Sequence, residues 1–335
     1  MKRALQVIVM LAVGGACLWL AFRDVEFEAF RDELQRVDWP IYISGVFLFG
    51  LLHLTRSIRW GKLVQAVEPD VRFRSYFSIC SVGFFLINVL PFRLGEFVRP
   101  YLLFEREGVP FGSGLATVLL ERVLDVVALG VLFVGVLLFA DIPSTVVTVA
   151  GRDYDIVRLG RTTILGALVP FGGAAIALVV LGERGVEIAR RVFGRVDPRA
   201  GDLAASFLST FVSTLRSLGE PRHAVKILLW TAVPWTVNVC SMLWMAKAFS
   251  FGAGLGFWDG AAILVAVCVA LILPAPPGFA GVFELAVTIG VALYGVEAAP
   301  AAAFAVCVHA GQFVLLTTLG TIFLVADRIS VRRLL

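Results

Sequence analysis

Charge is scarce in this chain. Asp, Glu, Lys and Arg make up 16% of its 335 residues, while 59% are hydrophobic. A soluble domain usually carries about 25% charged and about 45–50% apolar residues, so a soluble globular protein is excluded. Histidine occurs only at His53, His223 and His309, without ligand spacing, and no bound metal is expected. The five cysteines (Cys17, Cys80, Cys240, Cys268 and Cys307) form no close pair and no CxxC, and read as small buried hydrophobes. No ATP-binding loop is present, and neither a cofactor nor a nucleic-acid partner is expected. The one Asp-x-Asp, Asp153-Tyr154-Asp155, sits in a short loop and reads as a solvated turn, so no catalytic motif stands out and the chain is not read as an enzyme.

What the chain has is long apolar runs. A bilayer core about 30 Å thick takes roughly 20 apolar residues in a helix. Six segments qualify: 4–22, 39–58, 113–140, 161–181, 225–250 and 300–326. The first lacks a small-residue cleavage site before Arg23-Asp24 and reads as an uncleaved span. Lys and Arg in the loops give the orientation. Loop 23–38 has three arginines against six acids and is placed outside. Loops 56–74 and 182–226 are rich in Arg and are placed in the cytoplasm with both termini. Counting crossings then leaves 75–112 inside at both ends and 259–295 outside at both ends. The expected fold is a single all-α polytopic membrane domain, 1–335, of the bacterial cytoplasmic (inner) membrane. It has about six full spans and two opposed re-entrant helical hairpins, 75–106 and 259–295. A competing topology treats the broken segments as full spans. Apolar residues at helical spacing over about 200–219, among them Leu203, Phe207, Phe211 and Leu215, predict an amphipathic helix on the cytoplasmic interface or on the protein's own underside.

The breaks carry the chemistry. Asn88-Val-Leu-Pro-Phe-Arg-Leu-Gly-Glu-Phe-Val-Arg99 places Pro91 and Gly95 where a helix would otherwise continue, and adds Arg93, Glu96 and Arg99. Pro removes a backbone donor and Gly permits a tight turn. The second break, Leu273-Pro-Ala-Pro-Pro-Gly-Phe-Ala-Gly-Val-Phe-Glu284, repeats the plan with tip residues Pro274, Pro276, Pro277, Gly278 and Gly281 before Glu284. Opposed broken helices in two halves point to a transporter with inverted repeats and a midplane site. Helix N-termini aimed there favour a phosphate, and Arg93 and Arg99 add fork-shaped donors. A glutamate in a first helical turn also serves as a plain cap, which is the other reading of Glu96 and Glu284.

Segment 113–140 holds Glu121, Arg122 and Asp125. Glu121 lies about 13 Å along it at 1.5 Å per residue, and Glu121 and Asp125 share a face. The trio is net negative and calls for a basic partner: Arg93 or Arg99 first, then Arg56 or Arg59. Such a cluster binds a headgroup or locks the hairpin to this span. Arg56-Ser-Ile-Arg59-Trp60 reads chiefly as positive-inside anchors with an interfacial Trp. His309 reads as a helix–helix hydrogen bond, with proton coupling as its sharper alternative.

Together these motifs resemble the lysylphosphatidylglycerol synthase transmembrane family, also called flippase-like domain proteins. The likeness is carried by Asn88-x-x-Pro-x-Arg-x-Gly-Glu-x-x-Arg99, Arg56-x-x-Arg-Trp60, Glu121-Arg-x-x-Asp125 and Pro274-x-Pro-Pro-Gly-x-x-Gly-x-x-Glu284, and it covers nearly the whole chain. It implies a membrane module that moves lipid between leaflets. Family members that make lysylphosphatidylglycerol carry a separate synthase domain; with Leu335 soon after the last span, a stand-alone module is expected. An archaeal branch is associated with adding sugars to dolichol-linked glycans. At the second tip the family more often has Gly-Gly after the proline, and this chain departs from it.

The expected function is a flippase for a polar, phosphate-bearing lipid, either a phospholipid or a polyprenyl-phosphate-linked lipid. Asn88, Arg93, Glu96, Arg99, Glu121, Arg122, Asp125 and Glu284 are the candidate substrate-binding residues, with Arg56, Arg59 and His309 in support. A membrane glycosyltransferase or other lipid-modifying enzyme, and a non-transporting assembly partner, are the alternatives.

Overall fold

The computed structural model describes residues 2–90, 94–143, 146–149, 152–155, 158, 162, 181–195, 197–199, 201–202, 204–205, 208–209, 221–271 and 275–330. In the first half α1 is Lys2–Phe22, α2 Phe27–Arg36, α3 Trp39–Gln65, α4 Phe73–Val89, α5 Gly95–Glu107 and α6 Phe111–Phe139. Next come strands β1 (Val146–Val149) and β2 (Arg152–Asp155), and helix α7 (Glu183–Gly194). The second half has α8 Pro221–Ala246, α9 Phe257–Ala270, α10 Val282–Ala292 and α11 Ala298–Ala326. Among the described residues, four helices are long and apolar enough to cross a membrane: Trp39–Gln65, Phe111–Phe139, Lys226–Ala246 and Ala298–Ala326. The expected span 161–181 falls almost wholly outside the described residues, as does most of the amphipathic segment 200–219.

The chain forms two compact units. One comprises Met1–Glu121, Asp125–Ile142 and Trp230–Leu335; the other comprises Arg122–Leu124 and Pro143–Leu229. In the second unit β1 and β2 pair antiparallel, Val147 opposite Tyr154 and Thr148 opposite Asp153. The solvated turn expected at Asp153–Asp155 is therefore a strand, and the helical fold carries one small ribbon. Val and Thr side chains favour extended backbone, which helix-based crossing counts overlook. Still in that unit, Ala189 on α7 packs with Leu208. Gly201 lies so close to α7 that a Cβ there would come 2.7 Å from the Gly194 Cα.

The first unit holds both helical hairpins. Leu90, ahead of Pro91, is extended (φ −90°, ψ 142°) and ends α4, because a proline ring crowds the residue before it out of the helical region. After the tip, α5 returns antiparallel along α4. The two backbones nearly touch: a Cβ on Gly95 would lie 2.3 Å from the Ile87 nitrogen and 2.6 Å from the Gly83 oxygen. In the second hairpin α10 returns along α9, with Gly290 against the Ile263 Cα. Its tip is a short helical turn, Pro277–Phe279, with positive φ at Gly278 (71°) and Gly281 (86°). Gly281 also meets the backbone of Gly14 on α1.

The tip of the second hairpin approaches the last turn of α4 in the first. A Cβ on Gly278 would stand 3.8 Å from the Asn88 carbonyl oxygen and 3.4 Å from the Phe313 ring. Their supports are reciprocal. Helix α11, which follows the second hairpin, packs along α4 of the first, with Gly320 against Phe85. Helix α6, which follows the first, packs along α9 of the second, with Gly135 against Trp258. Likewise Gly61 of α3 faces Tyr76 on α4, and Gly260 of α9 faces Leu243 on α8. Each hairpin is thus packed against the helix that follows the other.

At one end of the bundle a polar clasp ties the first hairpin to the end of α11. Asp327 accepts from Arg74 (3.0 Å) and Arg106 (2.8 Å) and from the Ser78 hydroxyl. At another place Glu33 of α2 accepts from the Ser250 backbone (3.2 Å) and hydroxyl (2.8 Å), and Asp38 caps α3 while its own N–H reaches the Ala248 carbonyl. Burial pushes the Asp327 carboxyl up, but Ser78, Arg106 and Arg74 together outweigh it and hold it below the usual carboxylate range.

Two outcomes follow for detergent-solubilised protein. Gly95→Ala forces backbones apart and lowers thermal stability by on the order of 1–3 kcal/mol, whereas Gly112→Ala, with open space around its Cβ, does not lower it. Asp327→Asn lowers the midpoint at neutral pH. Because the folded carboxyl is more acidic than the unfolded one, the clasp's contribution is complete above about pH 4 and fades as pH falls through the depressed value. The gap between wild type and Asp327→Asn narrows only in that acid range.

Candidate functional site

Three helices of the first unit bring four charges together. Arg59 of α3 donates from Nη1 to Asp125 Oδ1 (2.6 Å) and from Nη2 to Glu121 Oε1 (2.8 Å). Arg99 of α5 places Nη2 2.7 Å from Glu121 Oε2. Glu121 therefore bridges two guanidinium groups, one from each side. The spacing of Glu121 and Asp125, one turn apart on α6, lets a single planar fork reach both carboxylates. Two cations face two anions, and the cluster is neutral. The Arg59, Arg99 and Glu121 side chains are at most 2% exposed; Asp125 is 20% exposed and forms its open corner.

Aromatic groups complete the setting. The Arg99 guanidinium lies over Trp60, 4.3 Å from the ring centroid, and 5.5 Å from that of Phe84. Trp60 Nε1 donates to Thr117 Oγ1 (3.1 Å), and Trp235 Nε1 donates to Asp125 Oδ1 (3.2 Å). Gly83 leaves room for the Arg99 stem, since a Cβ there would fall 2.4 Å from Arg99 Cγ. His53 and the Ser81 hydroxyl share a buried hydrogen bond of 2.9 Å beside Phe77 and Phe84.

Arg99, expected as a first-choice partner for the acids on 113–140, is one. Arg59, named after Arg93 and Arg99 as a partner for these acids, is the other, and this replaces its reading chiefly as an interfacial anchor. It is buried, and Trp60 beside it is fully buried, because α6 supplies carboxylates that pair with its two terminal nitrogens. Arg56 lies 5.9 Å from the Phe84 ring. Glu96 opens α5 and is half-buried, as is Asn88 in the last turn of α4; Arg122 follows Glu121 on α6. Pro91, Arg93 and Pro274 lie outside the described residues. At the second tip Pro276, Gly278 and Gly281 are buried and Pro277 is exposed.

Glu284 belongs to a second pair. Its Oε2 accepts from the Gly281 N–H (2.7 Å) and its Oε1 is 2.5 Å from His309 Nδ1. The cap therefore occupies one amide donor at this helix start, which the expected anion site would have used. Trp235, Thr117 and Ser81 were not singled out by sequence; a polar or indole group inside an apolar run was the signal available for each.

The family described as lysylphosphatidylglycerol synthase TM region matches residues 7–320. The chain belongs to this family. Among curated relatives it is 31% identical over 284 residues to "Glycosyltransferase AglD" of Haloferax volcanii, covering 76% of this chain and 44% of that protein. It is 24% identical over 322 residues to a UPF0104 membrane protein of Methanothermobacter thermautotrophicus, covering 93% of this chain and 92% of that one. A second UPF0104 membrane protein, from Methanocaldococcus jannaschii, is 32% identical over 89 residues. The chain thus spans under half of the named glycosyltransferase and nearly all of the first UPF0104 protein. No solved structure matches it. These relatives are archaeal and lend no support to the expected bacterial inner membrane; an integral membrane protein is what stands.

The neutral cluster predicts strong coupling. Glu121→Gln leaves two buried guanidinium groups against one carboxylate and costs about 3–5 kcal/mol. Adding Arg99→Met restores the charge balance, and the double variant is expected to be more stable than the sum of the single losses. A double-mutant cycle on the thermal midpoints in detergent measures this, and purely additive losses would refute it.

Proposed function

We propose that this protein moves a polar, phosphate-bearing lipid between leaflets, the headgroup passing where the second hairpin's tip approaches the first hairpin while the tails remain in lipid. The observation that carries the reading is the approach of Gly278 to Asn88, one broken helix from each half of the chain. Irregular backbone at membrane depth is stable only where protein covers it or a polar path solvates it, and paired broken helices are the hallmark of midplane transport sites. Membership of a family tied by name to lysylphosphatidylglycerol supports a lipid substrate. In this reading the first hairpin enters from the cytoplasm and the second from outside. The grouping of Arg74 and Arg106 with Asp327, and of Glu33 and Asp38 with 248–250, agrees with that crossing order.

Roles divide by exposure. Arg59, Arg99, Glu121 and Asp125 neutralise one another and brace the first hairpin. The partly exposed Asn88, Glu96 and Asp125 face the headgroup, and Arg93, between the first two in sequence, donates hydrogen bonds to its phosphate. A second reading is favoured by the likeness to the Haloferax glycosyltransferase over 76% of this chain: the lipid carries a sugar on a phosphate carrier, and the protein serves its transfer.

Reconstitution in liposomes with fluorescent phosphatidylglycerol, phosphatidylcholine and polyprenyl phosphate tests both. Leaflet exchange read by an external quencher is expected for an anionic lipid, slowed about tenfold, or 1.4 kcal/mol, in Glu96→Gln and Arg93→Gln. Absence of exchange for every lipid, with sugar transfer from a nucleotide donor in its place, would reverse the order of the two readings.

A further inference from the structure

Two places in the first unit hold buried ionisable groups at matching positions, and they differ in kind. In the first, Arg99 on the returning arm of one hairpin meets Glu121, about three turns into the following helix. In the second, Glu284 on the returning arm of the other hairpin meets His309, about three turns into its following helix. An arginine does not release its proton in a protein, whereas an imidazole gains and loses one near neutral pH. The Arg99–Glu121 pair is closed, its side chains 0% and 1% exposed. The Glu284 and His309 side chains remain 10% and 17% exposed, which leaves a way for a proton.

We propose that Glu284 and His309 form a proton-binding pair that couples proton movement to lipid movement; this rests on the lipid-transport reading above. Contacts link the pair to the tips. Glu284 Oε2 holds the Gly281 N–H and so fixes the start of α10, while the His309 ring stacks on Phe283 at 4.6 Å. One turn further along α11, Phe313 faces His309 edge-on and lies beside Gly278, where an added Cβ would come 3.4 Å from its ring and 3.8 Å from the Asn88 carbonyl of the first hairpin. A proton arriving on Glu284 weakens both the cap and the bond to His309; a proton on His309 tightens that bond into an ion pair. Either change bears on the place where the headgroup is proposed to pass.

Few other groups compete for the charge. The described inner part of α1, 9–22, offers only Cys17, and α10 has only Glu284 itself. Helix α9 offers Cys268 and, at the far base of the hairpin, Asp259. From α11 comes Cys307, whose carbonyl accepts from the Tyr42 hydroxyl of α3. Helix α3 also carries His53, Arg56, Arg59 and Lys62 towards its other end, α4 carries Arg74 and Cys80, and α2 carries Glu28, Arg31, Asp32, Glu33 and Arg36 near the start of α11.

The test uses the full chain in liposomes with fluorescent phosphatidylglycerol and an imposed pH difference. For one proton per monoanionic lipid, one pH unit supports about a tenfold leaflet asymmetry, its sign giving symport or antiport. Wild type is expected to show it, and Glu284→Gln and His309→Gln to lose it. Lipid exchange with equal leaflets under the gradient overturns the coupling and leaves the transport reading intact. A second measurement does not depend on transport. Histidine-selective 15N labelling in nanodiscs, with the signal assigned by its loss in His309→Gln, follows the His309 ring from pH 5 to 8. A titration that Glu284→Gln displaces by one unit or more supports the pair even if no lipid moves. A ring whose state does not change over that range overturns it.

Discussion

Glu121 holds the structure together by holding two arginines at once. A carboxylate has two oxygens, and here each faces a different guanidinium, one from α3 and one from α5. Removing any member would strand a charge where neither water nor lipid can answer it. The bridge therefore fixes three helices, and the first hairpin keeps its place because α5 is pinned through Arg99. The stack of Arg99 on Trp60 and the bond from Trp60 to Thr117 extend the same constraint along α3 and α6.

A pinned hairpin still needs close packing. Between apolar helices in a bilayer there is little hydrophobic driving force, and association depends on contact and hydrogen bonding. Glycine supplies the contact. Gly83 makes space for the Arg99 stem, Gly95 lets α5 lie on the α4 backbone, and Gly281 lets the second tip lie on α1. The positive φ values at Gly278 and Gly281 add a conformational requirement that few other residues meet. Charge sets which helices meet, and small residues set how near they come.

Much of this was legible in the chain. Pro91 with Gly95, and the proline–glycine run from Pro274 to Gly281, marked both breaks because their backbone chemistry is local. Glu121 and Asp125 demanded a cation, and Arg99 stood with Arg93 as the first choice, ahead of Arg56 and Arg59. Arg59 was harder. Arg beside Trp at the end of an apolar run describes an interfacial anchor equally well, and only the packing of α6 across α3 distinguishes the two. Trp235 contributes an indole N–H from a helix more than 100 residues away in sequence, a relation without any local signal. The paired strands at 146–155 were missed for a different reason: a short ribbon leaves no trace in a count of crossings. The approach of the second tip to the first hairpin was implied by symmetry, but the reciprocal packing of α6 on α9 and α11 on α4 was not, since it depends on how whole helices cross.

The two halves repeat one plan with different chemistry, and the difference has a physical consequence. Where the first half uses arginine against glutamate, the cation is permanent, because guanidinium does not release its proton. Where the second half uses histidine against glutamate, the cation is one that an imidazole can lose. A transporter that must alternate between two arrangements needs a part that stays and a part that changes. Permanent charges suit the first and a titratable pair the second. The hairpin braced by Glu121 has a permanent ion pair behind it, and the hairpin capped by Glu284, whose tip lies beside Gly14 and Phe313, has none among its described contacts.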